Sequence, residues 1–294
     1  LIHLIDASVF VFRAWFSIPP EMTDPDGQPV NAVYGYTCFL CDFLEQARPD
    51  YVAAAFDESL TSSFRNQIYP AYKANRELPP AELEHQFQLC REVTEALGVR
   101  HLADPQYEAD DIIGTLAHRC RAAGMASTIV TRDKDLAQLL HQGDVFLNPI
   151  DRRRFEYQQI AEHFGAVPGR MADFQALVGD KVDNIAGVPG IGAKTAAALF
   201  ASFDSLEAIY QDLQRVEDLP IRGAAGVARR LREHREAAFL ARQLTRIVTD
   251  MPLDLAPADL LTTGPDIDRV EALFDQLGFG QRLRRQAGRL AAQR

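Results

Sequence analysis

No apolar run in this chain approaches the ~18 residues needed to cross a bilayer. The opening stretch, "LIHLIDASVF", has neither a basic n-region nor a cleavage site, so no secretory leader is expected. Low-complexity tracts and internal repeats are absent. Cysteine is scarce, at four: Cys38, Cys41, Cys90 and Cys120. Cys38 and Cys41 form a CxxC inside "YGYTCFLCDFLEQ", an amphipathic helix pattern, and no second CxxC completes a zinc site. Buried thiols in a reducing cytoplasm are the expectation. The seven histidines (His3, His85, His101, His118, His141, His163 and His234) show no HxH or HExxH pairing and read as structural or surface residues. Excess positive charge is lacking too. The net charge of −10 taken alone argues against nucleic acid.

What is present is the composition of a globular protein, 47% hydrophobic and 24% charged, long enough for one large domain or two modest ones. Short apolar runs read as buried parallel strands: "LIHLID" (1–6), "YVAAAFD" (51–57), "STIVT" (127–131) and, more weakly, "DVFLN" (144–148). Helical patterns lie between them at 30–47, 80–99 and 108–124. This alternation predicts an α/β architecture with a mostly parallel central sheet flanked by helices. After about residue 165 the strand signals stop and an all-helical region is expected. Two units follow: 1–165, and 166–294. The last segment ends with Arg282, Arg284, Arg285, Arg289 and Arg294, read as a solvated face with a DNA-facing tail as the alternative.

Ligands of a parallel sheet bind outside the carboxyl ends of its strands. Three strand candidates end in acid: Asp6, Asp57, and Asp133 with Asp135 in "TRDKD". A helix opens on "YEADD", with Glu108, Asp110 and Asp111, and "VGDKVDNIAG" adds Asp180 and Asp183. Nine carboxylates in one place would repel strongly and raise one another's pKa. Divalent cations resolve this, and all-oxygen ligation points to Mg²⁺ or Mn²⁺. Two such ions ~4 Å apart can clamp a phosphodiester without a Ser, His or Cys nucleophile. These acids also account for nine of the ten net negative charges, so the total is compatible with a polyanion once metals are loaded.

Two further stretches carry signals. Positions 59–76 hold no acid but contain Arg65, Lys73 and Arg76 interleaved with Phe64, Tyr69 and Tyr72. Cations beside rings suit a nucleic-acid strand; an ordinary surface loop is the alternative. In "NIAGVPGIGAKTAAALF" (184–200), Gly187, Gly190 and Gly192 permit tight turns before a helix whose N–H groups can meet a phosphate, with Lys194 adding charge. The spacing fits neither a dinucleotide fingerprint nor a P-loop. It is similar to a helix-hairpin-helix, which grips a duplex backbone without reading sequence; a glycine turn between packed helices is the alternative.

Together, "YEADD", "TRDKD" and "GDKVDNIAGVPGIGAKTA" resemble the 5′ nuclease family over roughly residues 1–280. That family comprises the 5′–3′ exonuclease domain of bacterial DNA polymerase I, phage 5′ exonucleases and flap endonucleases. The chain looks most like a free-standing bacterial 5′–3′ exonuclease, with an excised polymerase domain as the alternative. The resemblance implies a helical arch at about 59–80 and a helix-hairpin-helix at about 184–202. It implies a first metal position at Glu108, Asp110, Asp111 and Asp133, reached by Asp6 and Asp57, and a second at Asp135, Asp180 and Asp183. Lys73, Arg76, Asp111 and Asp133 would be catalytic. Arg13, Arg65, Tyr72, Lys73, Arg76, Gly187, Gly190, Gly192 and Lys194 would contact DNA, and K⁺ would sit at the hairpin. One departure is Asp6-Ala7 where the family shows Asp-Gly. The expected activity is metal-dependent 5′–3′ exonuclease and 5′-flap endonuclease cleavage by a cytoplasmic monomer serving replication and repair. The rivals are a catalytically silent DNA-binding module and a nucleotide hydrolase using "GIGAKT".

Overall fold

Apolar segments too short for helices pair edge to edge into one sheet. The computed structural model describes residues 1–58 and 62–293. Its first half contains β1 (Ile2–Asp6), α1 (Ala7–Ser17), α2 (Asn31–Ala47), β2 (Tyr51–Asp57), α3 (Phe64–Ile68), α4 (Ala81–Ala96), β3 (Arg100–Asp104), α5 (Ala109–Ala122), β4 (Ser127–Val130), β5 (Val145–Asn148) and β6 (Arg153–Glu156). The sheet order is β3-β2-β1-β4-β5-β6, parallel throughout except for the antiparallel β5–β6 pair. The chain steps outward from β1 in both directions. The switch point therefore lies between β1 and β4, where open α/β sheets bind ligands.

Side chains of β1 alternate between two cores. Ile2 and Leu4 join α5 and the helical half, and Ile5 joins α1, α2 and α4. The four expected strands form. β3 and β6 carried no strand signal because they are polar edge segments, "RHLAD" and "RRFE", with little buried surface to impose a pattern.

The first half closes with α6 (Tyr157–Phe164), and the second contains α7 (Met171–Val178), the two-residue pair β7 (Gly179–Asp180) and β8 (Ile185–Ala186), α8 (Ala193–Ser202), α9 (Leu206–Gln211), α10 (Leu213–Glu217), α11 (Ala224–Glu233), α12 (Arg235–Thr245), α13 (Ile267–Gln276) and α14 (Gln281–Ala292). The β7–β8 pair interrupts a region expected to be all helical. It forms where Gly179 and Gly187 pack backbone on backbone; a side chain at Gly187 would meet Gly179 N at 2.4 Å.

Two other expectations change. The arch segment is mostly turn: within its described part only α3 is helical, and it stops at Tyr69, which the following Pro70 holds extended. Residues 59–61 of the expected arch, and Arg294, lie outside the described residues. α13 and α14, read with the helical half, pack against α2 and α4 through Val270, Phe274, Leu277, Leu283 and Leu290. Two of their arginines face acids: Arg284 meets Glu271 and Asp275, and Arg289 meets Glu45.

Phe274, 1% exposed, anchors this return of the chain. Phe274→Ala should cost about 3–5 kcal/mol of unfolding free energy, read from the urea midpoint. A loss below about 1 kcal/mol would mean α13 is not part of that core.

Candidate functional site

Five segments deliver acids to the switch point. Asp6 ends β1 and caps α1, accepting from Val9 N at 3.5 Å, while the Thr131 hydroxyl after β4 donates to its other oxygen at 2.7 Å. Asp57 ends β2 and accepts from Ala109 N at 3.0 Å, which pins the start of α5 to the sheet edge. Glu108 caps α5. Asp133 caps the 3₁₀ turn Lys134–Leu139 and accepts from Asp135 N at 2.9 Å. Asp180 follows β7's glycine and accepts from Val182 N at 2.8 Å and Asp183 N at 3.3 Å.

Cations are threaded among these acids. Lys73 Nζ donates to Glu108 Oε1 at 3.0 Å, and Arg76 pairs with Asp183. Lys134 Nζ lies 3.1 Å from Asp180 and 3.5 Å from Asp135. The backbone of Lys73 is left-handed, at φ +54°, and its N–H donates to the Asp183 carbonyl at 3.0 Å. That bond ties the arch base to the loop between β7 and β8. Lys134 and Gln175, which donates to Asp135, are site residues the sequence reading missed. Lys134 sits inside the quoted "TRDKD" between two acids, which was its signal. Gln175 on α7 had none.

The electrostatics follow from crowding. Loss of hydration pushes the Asp6 carboxyl up to about 7; Thr131 opposes this, and the Asp57 and Asp133 charges add to it. Desolvation likewise brings Asp135 to about 7, with Asp133, Asp180 and Asp183 reinforcing and Lys134 opposing. Asp110 is raised by desolvation and by Asp133 and Asp6, and makes no hydrogen bond or ion pair among the described residues. Asp133 is raised by desolvation and by Asp183, against the Asp135 N–H and the lysines Lys134 and Lys73. Glu108 runs the other way: burial would raise it, but Lys73 and Arg65 hold it below the ordinary carboxylate range.

Three expected site residues are turned inward. Asp111 is fully buried. Arg65 grips it with both nitrogens, at 2.6 and 2.8 Å, and Val248 N and Glu108 N complete its shell at 2.8 and 3.1 Å. Asp111 is thus an anion already satisfied by the protein's own donors. Arg65, 2% exposed, also donates to the carbonyls of Leu244 and Arg246 and has little surface left for another partner. Tyr72, 3% exposed, donates to Glu108 and Asp183 at 3.0 and 3.2 Å and offers no open face for stacking. The reason is geometric. A capping-box acid three residues into a helix bends back to the N-cap, and Arg65 arrives there from 46 residues away.

Among the described residues no three of His, Cys, Asp and Glu stand ready to hold an ion; the protein's own donors engage each of the site acids except Asp110. Arg13 is exposed on α1. Gly190, Gly192 and Lys194 are exposed at the start of α8, whereas Gly187 is a packing glycine against Gly179.

Residues 1–165 match the family model described as 5′-3′ exonuclease, N-terminal resolvase-like domain. Residues 166–268 match that of the 5′-3′ exonuclease, C-terminal SAM fold. DNA polymerase I of Pseudomonas aeruginosa is 39% identical over 277 residues, 94% of this chain and 30% of that protein. DNA polymerase I of Mycobacterium tuberculosis H37Rv is 38% identical over 281 residues, again 94% and 30%. The chain thus spans about 30% of the length of these relatives. Among solved structures, T5 5′-exonuclease with bound zinc superposes with a TM-score of 0.66 at 19% identity, covering 99% of both chains. The catalytic core of Rad2 with DNA substrate gives 0.63 at 15% identity, covering 98% of this chain and 91% of that one. Both likenesses show the fold.

Arg65→Met should leave Asp111 buried and unpaired. We expect a loss of about 3–5 kcal/mol in chemical denaturation, and Arg65→Lys should not restore it, since an ammonium cannot make the bidentate pair. Wild-type stability in Arg65→Met would show that the pair carries no weight.

Proposed function

This chain belongs to the 5′–3′ exonuclease family of nucleases, and on that premise we propose that it hydrolyses DNA phosphodiesters at 5′ ends and 5′ flaps, using divalent cations held at the carboxyl edge of its sheet. The observation that carries the reading is the meeting of Asp6, Asp57, Glu108, Asp110, Asp133, Asp135, Asp180 and Asp183 at the switch point against Lys73, Arg76 and Lys134 among the described residues, with Arg65 behind them committed to Asp111. Eight carboxylates facing three cations leave five negative charges in excess when all ionise.

The donor set fits hard divalent ions. Every donor is oxygen, and the raised carboxyls of Asp6, Asp110, Asp133 and Asp135 are those a cation would most relieve. Structural neighbours include a T5 flap endonuclease pseudo-enzyme-product complex with DNA and metal ions. Asp6, Asp57, Glu108, Asp110 and Asp133 would serve one Mg²⁺ and Asp135, Asp180 and Asp183 a second, with Mn²⁺ able to substitute. Bound there, such ions supply an activated water and charge stabilisation of the leaving oxygen.

The chain's own residues do the rest. Lys73 and Arg76, at the arch base, are the cations an incoming phosphodiester meets; each offsets one acid until then. Tyr72 fixes the distance between Glu108 and Asp183 through its shared hydroxyl. The exposed hairpin at 187–194, with K⁺ as an expected occupant, holds duplex. The protein would act as a cytoplasmic monomer with no sequence preference.

The test is a labelled 5′-flap duplex incubated with Mg²⁺, Mn²⁺ or chelator, with product lengths resolved. Cleavage with either metal and none in chelator is expected; tight binding without product in any of them would favour a silent DNA-binding module instead. Asp110→Asn is the informative variant. It should abolish cleavage yet raise stability in chelator by about 0.5–2 kcal/mol, because it removes an uncompensated charge. Flap cleavage at the wild-type rate would remove Asp110 from the site.

A further inference from the structure

Most arginines with buried atoms in this protein meet acids or carbonyls, as Arg65, Arg121, Arg242 and Arg284 do. Arg230 on α11 is different. Its Nε is buried and has no hydrogen-bond partner, and no carboxylate lies within ion-pair distance of its guanidinium among the described residues. Its neighbours Arg229 and Arg232 reach Glu233 at 3.8 Å and Glu217 at 3.9 Å.

The Arg230 guanidinium packs against the glycine hairpin. Gly190 is left-handed, at φ +74°, and a side chain there would meet Arg230 Nε at 3.1 Å and Cζ at 3.4 Å. One turn earlier on α11, a side chain at Gly226 would meet Arg230 Nη1 at 3.6 Å, an ordinary contact. Beyond Gly190, nothing fills the space a side chain at Gly192 would take, and α8 begins at the exposed Ala193 and Lys194.

The charge pattern agrees. Residues 184–203 contain no acid, nor do residues 219–232. These two runs meet where Arg230 packs on Gly190, and between them they carry Lys194, Arg222, Arg229, Arg230 and Arg232 in a chain whose net charge is −10. A guanidinium is a planar fork matched to phosphate oxygens. It lies next to backbone N–H groups at a helix start, in a setting that favours anions.

We infer that Arg230 is a phosphate-holding residue of the duplex interface, and that this interface extends from the hairpin onto the first two turns of α11. The inference rests on the DNA-binding reading above and deepens it. The hairpin supplies backbone donors; Arg230 supplies the fixed charge beneath them. The contact is to the sugar–phosphate backbone and therefore independent of sequence.

Binding of the full chain to a labelled nicked duplex, and to one of its strands alone, is measured in chelator over a range of salt. Each phosphate contact contributes about 0.9 to the slope of log affinity against log salt. Arg230→Gln should lower the duplex slope by about 0.9 and leave single-strand affinity unchanged. In flap cleavage it should raise KM and not lower kcat. Arg230→Lys should restore the slope, and Arg289→Gln, remote on α14, should not alter it. Should Arg230→Gln fail to fold, Arg230→Met keeps the stem on Gly190, removes only the charge, and should give the same loss. An unchanged duplex slope in the folded neutral variants overturns the inference. If Lys194→Gln still lowers the slope in that case, the hairpin reading stands without Arg230. Absence of metal-dependent flap cleavage by the wild type would fail the nuclease reading separately, since the slope is read without turnover.

Discussion

Like-charge repulsion at the carboxyl edge of the sheet is the constraint around which the chain is organised. Eight acids are brought there by β1, β2, the start of α5, the turn after β4 and the loop between β7 and β8. Folding such a pocket is unfavourable unless each charge finds an opposing one, a donor or a proton. The protein uses all three. Lys73, Arg76 and Lys134 answer Glu108, Asp183 and Asp180; Thr131, Tyr72 and backbone N–H groups hold Asp6, Glu108, Asp183 and Asp133; and the carboxyls of Asp6 and Asp135 sit near 7. Stability is given up here for a site that only cations or a cation-bearing substrate can satisfy, a common bargain at functional sites.

The Arg65–Asp111 pair answers the same problem differently. It lies just behind the acidic cleft and joins three segments far apart in sequence: the arch through Arg65, α5 through Asp111, and the end of α12 through the carbonyls of Leu244 and Arg246 and the N–H of Val248. Arg65 also lies 3.5 Å from Glu108. Burial alone would lower the Arg65 pKa, but Asp111 and Glu108 more than offset it, so the guanidinium stays charged. The helical half is thus fastened to the sheet at the point where Glu108 enters the cleft. A loosened pair would displace a site acid as well as a domain contact.

Much of this was legible in the sequence, for physical reasons. A strand buried on both faces has to be apolar throughout, so an aspartate closing "LIHLID" or "YVAAAFD" marks the edge. Acids three apart at a helix start share a face, which singled out Glu108 and Asp111 but could not say which way that face turned. Asp110, one residue earlier, points into the cleft, and Asp111 points into Arg65. That distinction depends on a partner 46 residues distant, which no local pattern carries. The return of α13 and α14 to α2 and α4 was hidden likewise, since an amphipathic helix specifies an apolar partner and not which one.

The net charge of −10 illustrates how a sum conceals a field. The acids gather at the sheet edge, while residues 184–203 and 219–232 carry none. The two regions are neighbours in the chain, since Asp183 abuts the hairpin at Asn184. A polyanion approaching such a surface is attracted on one side and repelled on the other. On the proposed reading it would dock along the acid-free side, with its reactive phosphate brought only to the boundary, where Lys73 and Arg76 pair with Glu108 and Asp183. Loading the acids with divalent ions would remove that repulsion without weakening the grip. On that reading the separation of charge would make binding and cutting separable steps, the first governed by salt and the second by metal.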